Sequence, residues 1–417
     1  MKNKTKPIVL FMATVLIIAL MLVCLTACIA DNDDSNNKTP TNNNSNKDTE
    51  QNMPTSENEI FLFTLKPDGT YSVAAKSTDI VKAEIPNTFN GIQVTATADD
   101  AFHGCEDLTS ITIPDGVTII GENAFYDCSN LTSITIPQSV TEIGAFAFSY
   151  CRNLTQIELP DSIIRIGRYA FSNCYSLKNI KMPISLTSIE ERAFYSCSEL
   201  LNITIPDRVT SIGEWAFAHC SKLENIAIPN DILHIGDLAF YDCRRLASVS
   251  LGNKVMSIGN RSFSYCSSLT SISIPKSIIS IGDYTFRGCN QLSSISVDKD
   301  NTSYASQDGI LYNKEKTKFI HIPKAIQGAI TIPDGITNID SYAFSGCCGL
   351  TSVTIGNNVT SIGYGAFRNC TGLTNIIFNG TKAQWKAIIK DSNLNTNTGN
   401  FTIHCTDGDL DKNGNEI

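Results

Sequence analysis

Residues Leu131–Cys151 read LTSITIPQSVTEIGAFAFSYC, and this stretch decides the fold. Its frame is Leu-x-x-Ile-x-Ile-Pro-x-x-Val-x-x-Ile-Gly-x-x-Ala-Phe-x-x-Cys. The frame recurs from Leu108 to Cys370. Its cysteines stand 23 residues apart, from Cys105 through Cys128 and Cys151 to Cys289, and again at Cys347 and Cys370. The phenylalanines keep step, from Phe102 to Phe286 and at Phe344 and Phe367. A fixed period in this range is the mark of a solenoid, which grows coil by coil and has no single-core size limit.

Each position in the frame has a physical assignment. Leu-x-x-Ile-x-Ile alternates at its end, so the isoleucines turn inward and the residues between them outward. β-Branched pairs such as Ile134/Ile136 and Ile203/Ile205 suit a strand. One short strand per repeat, stacked on its neighbours, predicts a parallel sheet. Pro114, Pro137, Pro160, Pro183, Pro206, Pro229 and Pro275 end the strands, because proline cannot continue a ladder. Ile120-Gly121 and its equivalents are read as the next corner, with the glycine there for a positive φ or a tight backbone approach. Ala-Phe fills the far side of the coil.

These residues resemble the 23-residue leucine-rich repeat of the BspA-like bacterial surface proteins, from Leu108 to about Phe378. The resemblance implies a leucine-rich-repeat solenoid of the α/β type, with short parallel strands on its concave face and irregular or short helical convex segments. It is expected to be capped at both ends.

The flanks divide the chain further. Met1–Ala27 carries Lys2, Lys4 and Lys6, then an apolar run from Ile8 to Val23, which reads as a secretory signal peptide. Leu25-Thr26-Ala27-Cys28 resembles the lipobox of bacterial lipoproteins, so Cys28 is the expected lipidation site. The alternative is an uncleaved membrane anchor, for which the apolar run is slightly short. Residues 28–58 are almost wholly polar and read as a disordered tether. Residues 59–104 read as an N-terminal β-hairpin around Pro67-Asp68-Gly69, followed by a degenerate capping repeat. Residues 105–378 form the array, interrupted by one long coil at about 298–329, where 58 residues separate Cys289 from Cys347. That coil reads as a projecting β-hairpin. Residues 379–417 read as a C-terminal cap and an acidic tail.

The chemistry is sparse. Net charge is −9, and loss of the first 27 residues with their three lysines leaves −12, which argues against nucleic acid as a partner. The many cysteines of an exported chain would ordinarily suggest disulfides. Neighbouring coils place the ladder positions about 5 Å apart, within disulfide range. Pairing would break the regularity, however, and buried reduced thiols are the expectation. The histidines, His103, His219, His234, His321 and His404, form no ligand cluster in sequence, and no Cys-x-x-Cys occurs. Asp407–Gly414 resembles the start of a calcium loop but lacks its closing glutamate, so a frayed acidic tail is expected. No metal, cofactor or catalytic signature emerges, and the chain is read as non-enzymatic.

The concave face is then the expected binding surface. Most of its outward pairs are Ser and Thr. The monotony breaks at Gln156, Glu158, Lys178, Asn179 and Lys181, continuing to Asn202, Thr204 and Asn225. The expected role is a lipid-anchored surface protein that binds host or extracellular matrix protein, or glycan, through this face. The alternative is a surface spacer or envelope coat protein without a ligand.

Overall fold

The computed structural model describes residues 57–391 and 396–417. The expected signal peptide, Cys28 and the tether as far as residue 56 lie outside the described residues.

The quoted repeat folds as its alternation requires. Ser133–Thr135 is a strand with Ile134 buried between two exposed residues. It aligns in parallel with Gln156–Glu158, and that strand with Asn179–Lys181, residue for equivalent residue. The period is therefore the register: each position stacks on its own copy one coil away. This sheet starts at Lys82–Glu84, before the first full repeat, and reaches Asn179–Lys181. A single bridge, Asn179 to Asn202, continues it, then the pairs Asn225–Ala227 with Ser248–Ser250 and Ser271–Ile274 with Ser294–Val297.

The Ile-Gly position proves to be more than a corner. The residues before each glycine form a second ladder of two-residue parallel strands, such as Glu142–Ile143 on Arg165–Ile166 and Ser211–Ile212 on His234–Ile235. Two residues are too few for alternation to be visible in sequence. The glycine is there for close approach, not for a positive φ. A Cβ on Gly144 would lie 2.6 Å from backbone atoms of Gly121 and Glu122 in the preceding coil.

Positive φ falls on the residues flanking Ala-Phe, Phe146 (55°) and Tyr150 (62°) in the quoted repeat, and on their equivalents. This left-handed backbone turns alternate N–H groups toward the next coil. Phe146, Phe148 and Tyr150 donate to the carbonyls of Arg168, Ala170 and Ser172 at 2.8–2.9 Å. The turn side is thus hydrogen-bonded coil to coil, as the strands are. Among the described residues no convex segment is helical; of the expected irregular or short helical segments, the fold uses turns.

Inside, Phe102 to Phe286 form one stack, with centroids 5.2–6.1 Å apart and planes within 9°. The described cysteines are all free thiols. From Cys128 to Cys289, and at Cys370, each Sγ donates to the carbonyl of the stacked Phe one coil back, at 3.0–3.3 Å. Each of these thiols is thereby satisfied without a disulfide.

The long coil does not project. It folds as three antiparallel strands, Tyr304–Gln307, Ile310–Asn313 and Phe319–His321, of which the first was not expected. Ile310, Leu311 and Tyr312 are fully buried, so the insertion fills the stack. Buried Asn301 anchors its entry: its amide donates to the carbonyls of Pro275 and Ile278, and its oxygen accepts from the N–H groups of Ser303 and Tyr304. The apolar core divides here, Leu311 packing with the N-terminal block and Ile310 and Tyr312 with the C-terminal one. The parallel ring stack is interrupted at the same place. His321 meets Phe286 edge-on at 5.5 Å, and Phe319 meets Phe344 edge-on at 5.7 Å.

Both caps are ordered. Phe61–Leu65 and Tyr71–Ala75 form the expected hairpin, and Phe61 closes the ring stack against Phe102. At the other end the helix Lys382–Ala387 begins with a Thr381/Gln384 capping box and buries Trp385 against Phe378. The tail is not frayed. Gly408–Leu410 pairs with Thr402–Cys405, Leu410 is fully buried, and Glu416 lies 3.3 Å from Lys382 and 3.4 Å from Lys386. Its carboxylates serve the fold: Asp411 accepts from the N–H groups of Asn413 and Asn415, and Asp407 from that of Lys382.

Candidate binding surface

The strand face presents the side chains that alternation sends outward. Gln156 lies beside Asn179 and Glu158 beside Lys181 in adjacent coils, and all four are exposed. Lys181 does not pair with Glu158. Its Nζ reaches Asp161 at 3.3 Å, at the end of the preceding strand, and remains 69% exposed. Glu158 makes no hydrogen bond or ion pair among the described residues, so it offers a free carboxylate next to an exposed ammonium.

Asn202 and Thr204 continue the face, both exposed, where the strand ladder narrows to the single bridge between Asn202 and Asn179. Asn225 accepts from the Ser248 hydroxyl at 2.6 Å. Lys178 stands apart. It is exposed but lies one residue before its strand, in a row otherwise rich in Thr. Thr109, Thr155 and Thr374 in that row donate their hydroxyls to the carbonyl one coil back. Lys178 therefore marks the rim of the face and not its floor.

Sequence reading marks one end of this surface, with Phe401–His404 as a last strand, and misses the other. Lys82 and Glu84 register with Ser110 and Thr112, and Thr402 and His404 with Asn375 and Ile377. The first strand, Lys82–Glu84, lacks the Leu-x-x-Ile-x-Ile frame, so sequence alone does not mark it. His404 is fixed by Asp409 and Asn375, each at 3.0 Å. Between the ends, Ser248, Ser250, Ser271, Ser273 and Ser296 line a shallow groove of about 500 Å³ that ends at Asp298.

A second feature was also missed. The turn edge carries the rings and guanidinium groups that the strand face lacks. Phe146 stacks on Tyr169 at 4.5 Å, Arg192 lies over Tyr169 and Trp215 at 5.2 and 5.4 Å, and Tyr241 meets Trp215 and Tyr265 at 5.6 and 5.4 Å. These residues occupy variable positions of the frame, where sequence offers no period to reveal that they touch.

Comparison with known proteins settles the family. Residues 95–224, 212–329 and 326–406 match the family described as BspA type Leucine rich repeat region (6 copies). The chain belongs to the BspA-type leucine-rich-repeat family. No curated protein matches it significantly. Among solved structures, it is similar to a leucine-rich cell surface protein from Faecalibacterium prausnitzii A2-165. The identity is 26%, the TM-score 0.41, and the match covers 80% of this chain and 97% of that one. A leucine-rich-repeat protein from Bacteroides ovatus ATCC 8483 is 22% identical, with a TM-score of 0.44, covering 83% of this chain and 98% of that one. The leucine-rich-repeat protein of T. pallidum is 26% identical, with a TM-score of 0.37, covering 58% of this chain and 90% of that one. Within this BspA-type chain the repeat builds the core, and the outward residues are those that vary from coil to coil.

Proposed function

We propose that this chain is an exported, lipid-anchored surface protein that adheres to an extracellular matrix protein through its strand face. The observation that carries the reading is the pair Glu158 and Lys181. They lie side by side in register, exposed, on a face whose other outward residues are mostly short and uncharged. Exposed charges contribute only about 0.2–1 kcal/mol each. Useful avidity then comes from many weak contacts along the array, or from many copies on one surface. The lipobox-like Leu25-Thr26-Ala27-Cys28 supports the anchor, and the polar segment that follows supports display at a distance from the membrane.

The test is adhesion of cells expressing the chain to immobilised matrix proteins. Three strains are compared: wild type, Glu158→Ala/Lys181→Ala, and a strain lacking residues 105–378. Wild type is expected to bind best and the double variant to fall toward the deletion strain. Equal behaviour of all three would instead support a spacer without a ligand. Mass spectrometry of the mature N-terminus is expected to find a lipid-modified Cys28, and a chain retaining Met1 would remove the anchor from the proposal.

A further inference from the structure

The turn edge holds a cleft of about 400 Å³ across four successive coils, away from the strand face. Its walls include Tyr175, which is 39% exposed, and Tyr195, which meets the His219 ring edge-on at 5.3 Å. Its polar side is built around Asp242, a carboxylate with only 15% side-chain exposure. Asp242 accepts from Nε and Nη2 of Arg244 at 2.9 and 3.1 Å and contacts Nδ1 of His219 at 3.1 Å.

That arrangement fixes what the cleft offers. Two of the guanidinium's five N–H donors are spent on Asp242, and the rest remain for a ligand. With Nδ1 held by Asp242, Nε2 of His219 is unpartnered. Ser198 and Ser221 donate their hydroxyls to carbonyls one coil back at 3.3 Å, leaving their oxygens as acceptors. Donors and acceptors are mixed, and the one cation in the cleft is neutralised by the one carboxylate. Such a site suits an uncharged, polyhydroxylated ligand with an apolar face, and rings beside a few fixed polar groups are the usual make-up of a small-ligand site.

The backbone argues against a peptide strand. Ser196, His219 and Asp242 donate their N–H groups to the next coil at 2.7–2.8 Å, and Ser198, Ser221 and Arg244 donate theirs within the coil. No free row of backbone donors is left along this edge for strand addition. The aromatic line continues past the cleft, through Tyr241 to Tyr265. Coils repeat at about 4.8 Å, so an extended chain lying along the edge would meet a ring at successive steps.

We propose that this cleft binds a neutral oligosaccharide, with a sugar ring against Tyr175 and Tyr195 and its hydroxyls on Arg244, Ser198 and Ser221. The chain has two tryptophans, and Trp215 lies 6.5 Å from His219 at the cleft while Trp385 sits in the C-terminal cap. Tryptophan fluorescence of the full chain therefore reads the site directly. The probes are cellohexaose, maltohexaose and N-acetylchitohexaose, with hexagalacturonate as the charged comparison.

At least one neutral hexasaccharide is expected to change the Trp215 emission saturably, and Trp215→Phe to abolish the signal while calorimetric binding persists. Tyr175→Ala and Arg244→Ala are each expected to weaken binding roughly tenfold, with melting temperatures matching wild type. The proposal is overturned if no neutral hexasaccharide binds at millimolar concentration. It is also overturned if hexagalacturonate binds more tightly than all three, or if both variants fold and bind as wild type does.

Discussion

Truncating one ring in the middle of the stack tests the whole architecture. Phe194 is fully buried between Phe171 at 5.5 Å and Phe217 at 5.3 Å, both within 4° of parallel. Phe194→Ala removes an apolar burial of about 1.5–3 kcal/mol and two ring pairs of about 0.5–1.5 kcal/mol each. Coils locked by hydrogen bonds on both sides cannot collapse into the void, so the expected loss is about 3–5 kcal/mol. Phe286 provides the internal comparison. It has one stacked neighbour, at 6.1 Å, and an edge-on histidine on its other side. Its one stacked partner is farther away than either neighbour of Phe194, so Phe286→Ala should cost less. Urea unfolding followed by Trp215 fluorescence reads the N-terminal block in which both rings lie. A loss of 3–5 kcal/mol moves its midpoint by more than about 1 M. A Phe194→Ala loss under about 1.5 kcal/mol, or one smaller than that of Phe286→Ala, would refute the stack as the main source of cohesion.

Three further outcomes follow from particular residues. Burial pushes the ladder thiols up, Cys105 and Cys347 to about 11 and Cys289 and Cys370 to about 12, while Cys348 is exposed. A thiol reagent should label Cys348 in the native chain and the ladder only after denaturation, as peptide mapping will check. Burial, reinforced by Lys324, lowers His321 to about 4 from an ordinary 6.5, so the unfolded chain takes up this proton first. Stability from this group is complete above pH 6.5 and falls by about 2–3 kcal/mol as pH drops to about 4; His321→Phe should flatten urea midpoints across that window. Gly144→Ala should cost about 1–3 kcal/mol by urea unfolding, because its Cβ meets only backbone, which has no rotamer to yield.

Most of the fold could be read from the quoted repeat because so many of its positions are committed to it. Leu131, Ile134, Ile136, Val140, Ile143, Phe148 and Cys151 are all buried as their periodicity requires. Features outside the period were harder to see. The second ladder uses two residues per coil, too few to show a pattern. The insertion reads as a projecting hairpin until Ile310, Leu311 and Tyr312 are seen buried in the core. Leu410 is a single apolar residue among acids, and its pairing with Ile403 in the cap is not visible in sequence. On the strand face, alternation placed Gln156, Glu158, Asn179 and Lys181 correctly. It could not place Lys178, which lies before alternation begins. The aromatic edge was invisible for the opposite reason: Tyr195, Trp215 and His219 come close only because three different frame positions converge at one corner.

The divided core at the long coil has a consequence for how the chain counts its own repeats. From Cys128 to Cys289 each coil presents the same frame on its upper and lower surfaces, so Phe194 has no means of telling Phe217 from Phe240. A coil docked one whole repeat out of place would recover nearly every local contact. The caps and the Asn301 junction depart furthest from the frame, and they act as fixed marks against which the closely similar coils are numbered. Slippage is then penalised chiefly at these marks, and between them by the few coil-specific contacts such as Lys181 with Asp161. For the same reason, a whole 23-residue unit between Cys128 and Cys289 should be removable or repeatable with both marks intact. The length of the displayed surface is thus open to change by genetic duplication without any redesign of its interior.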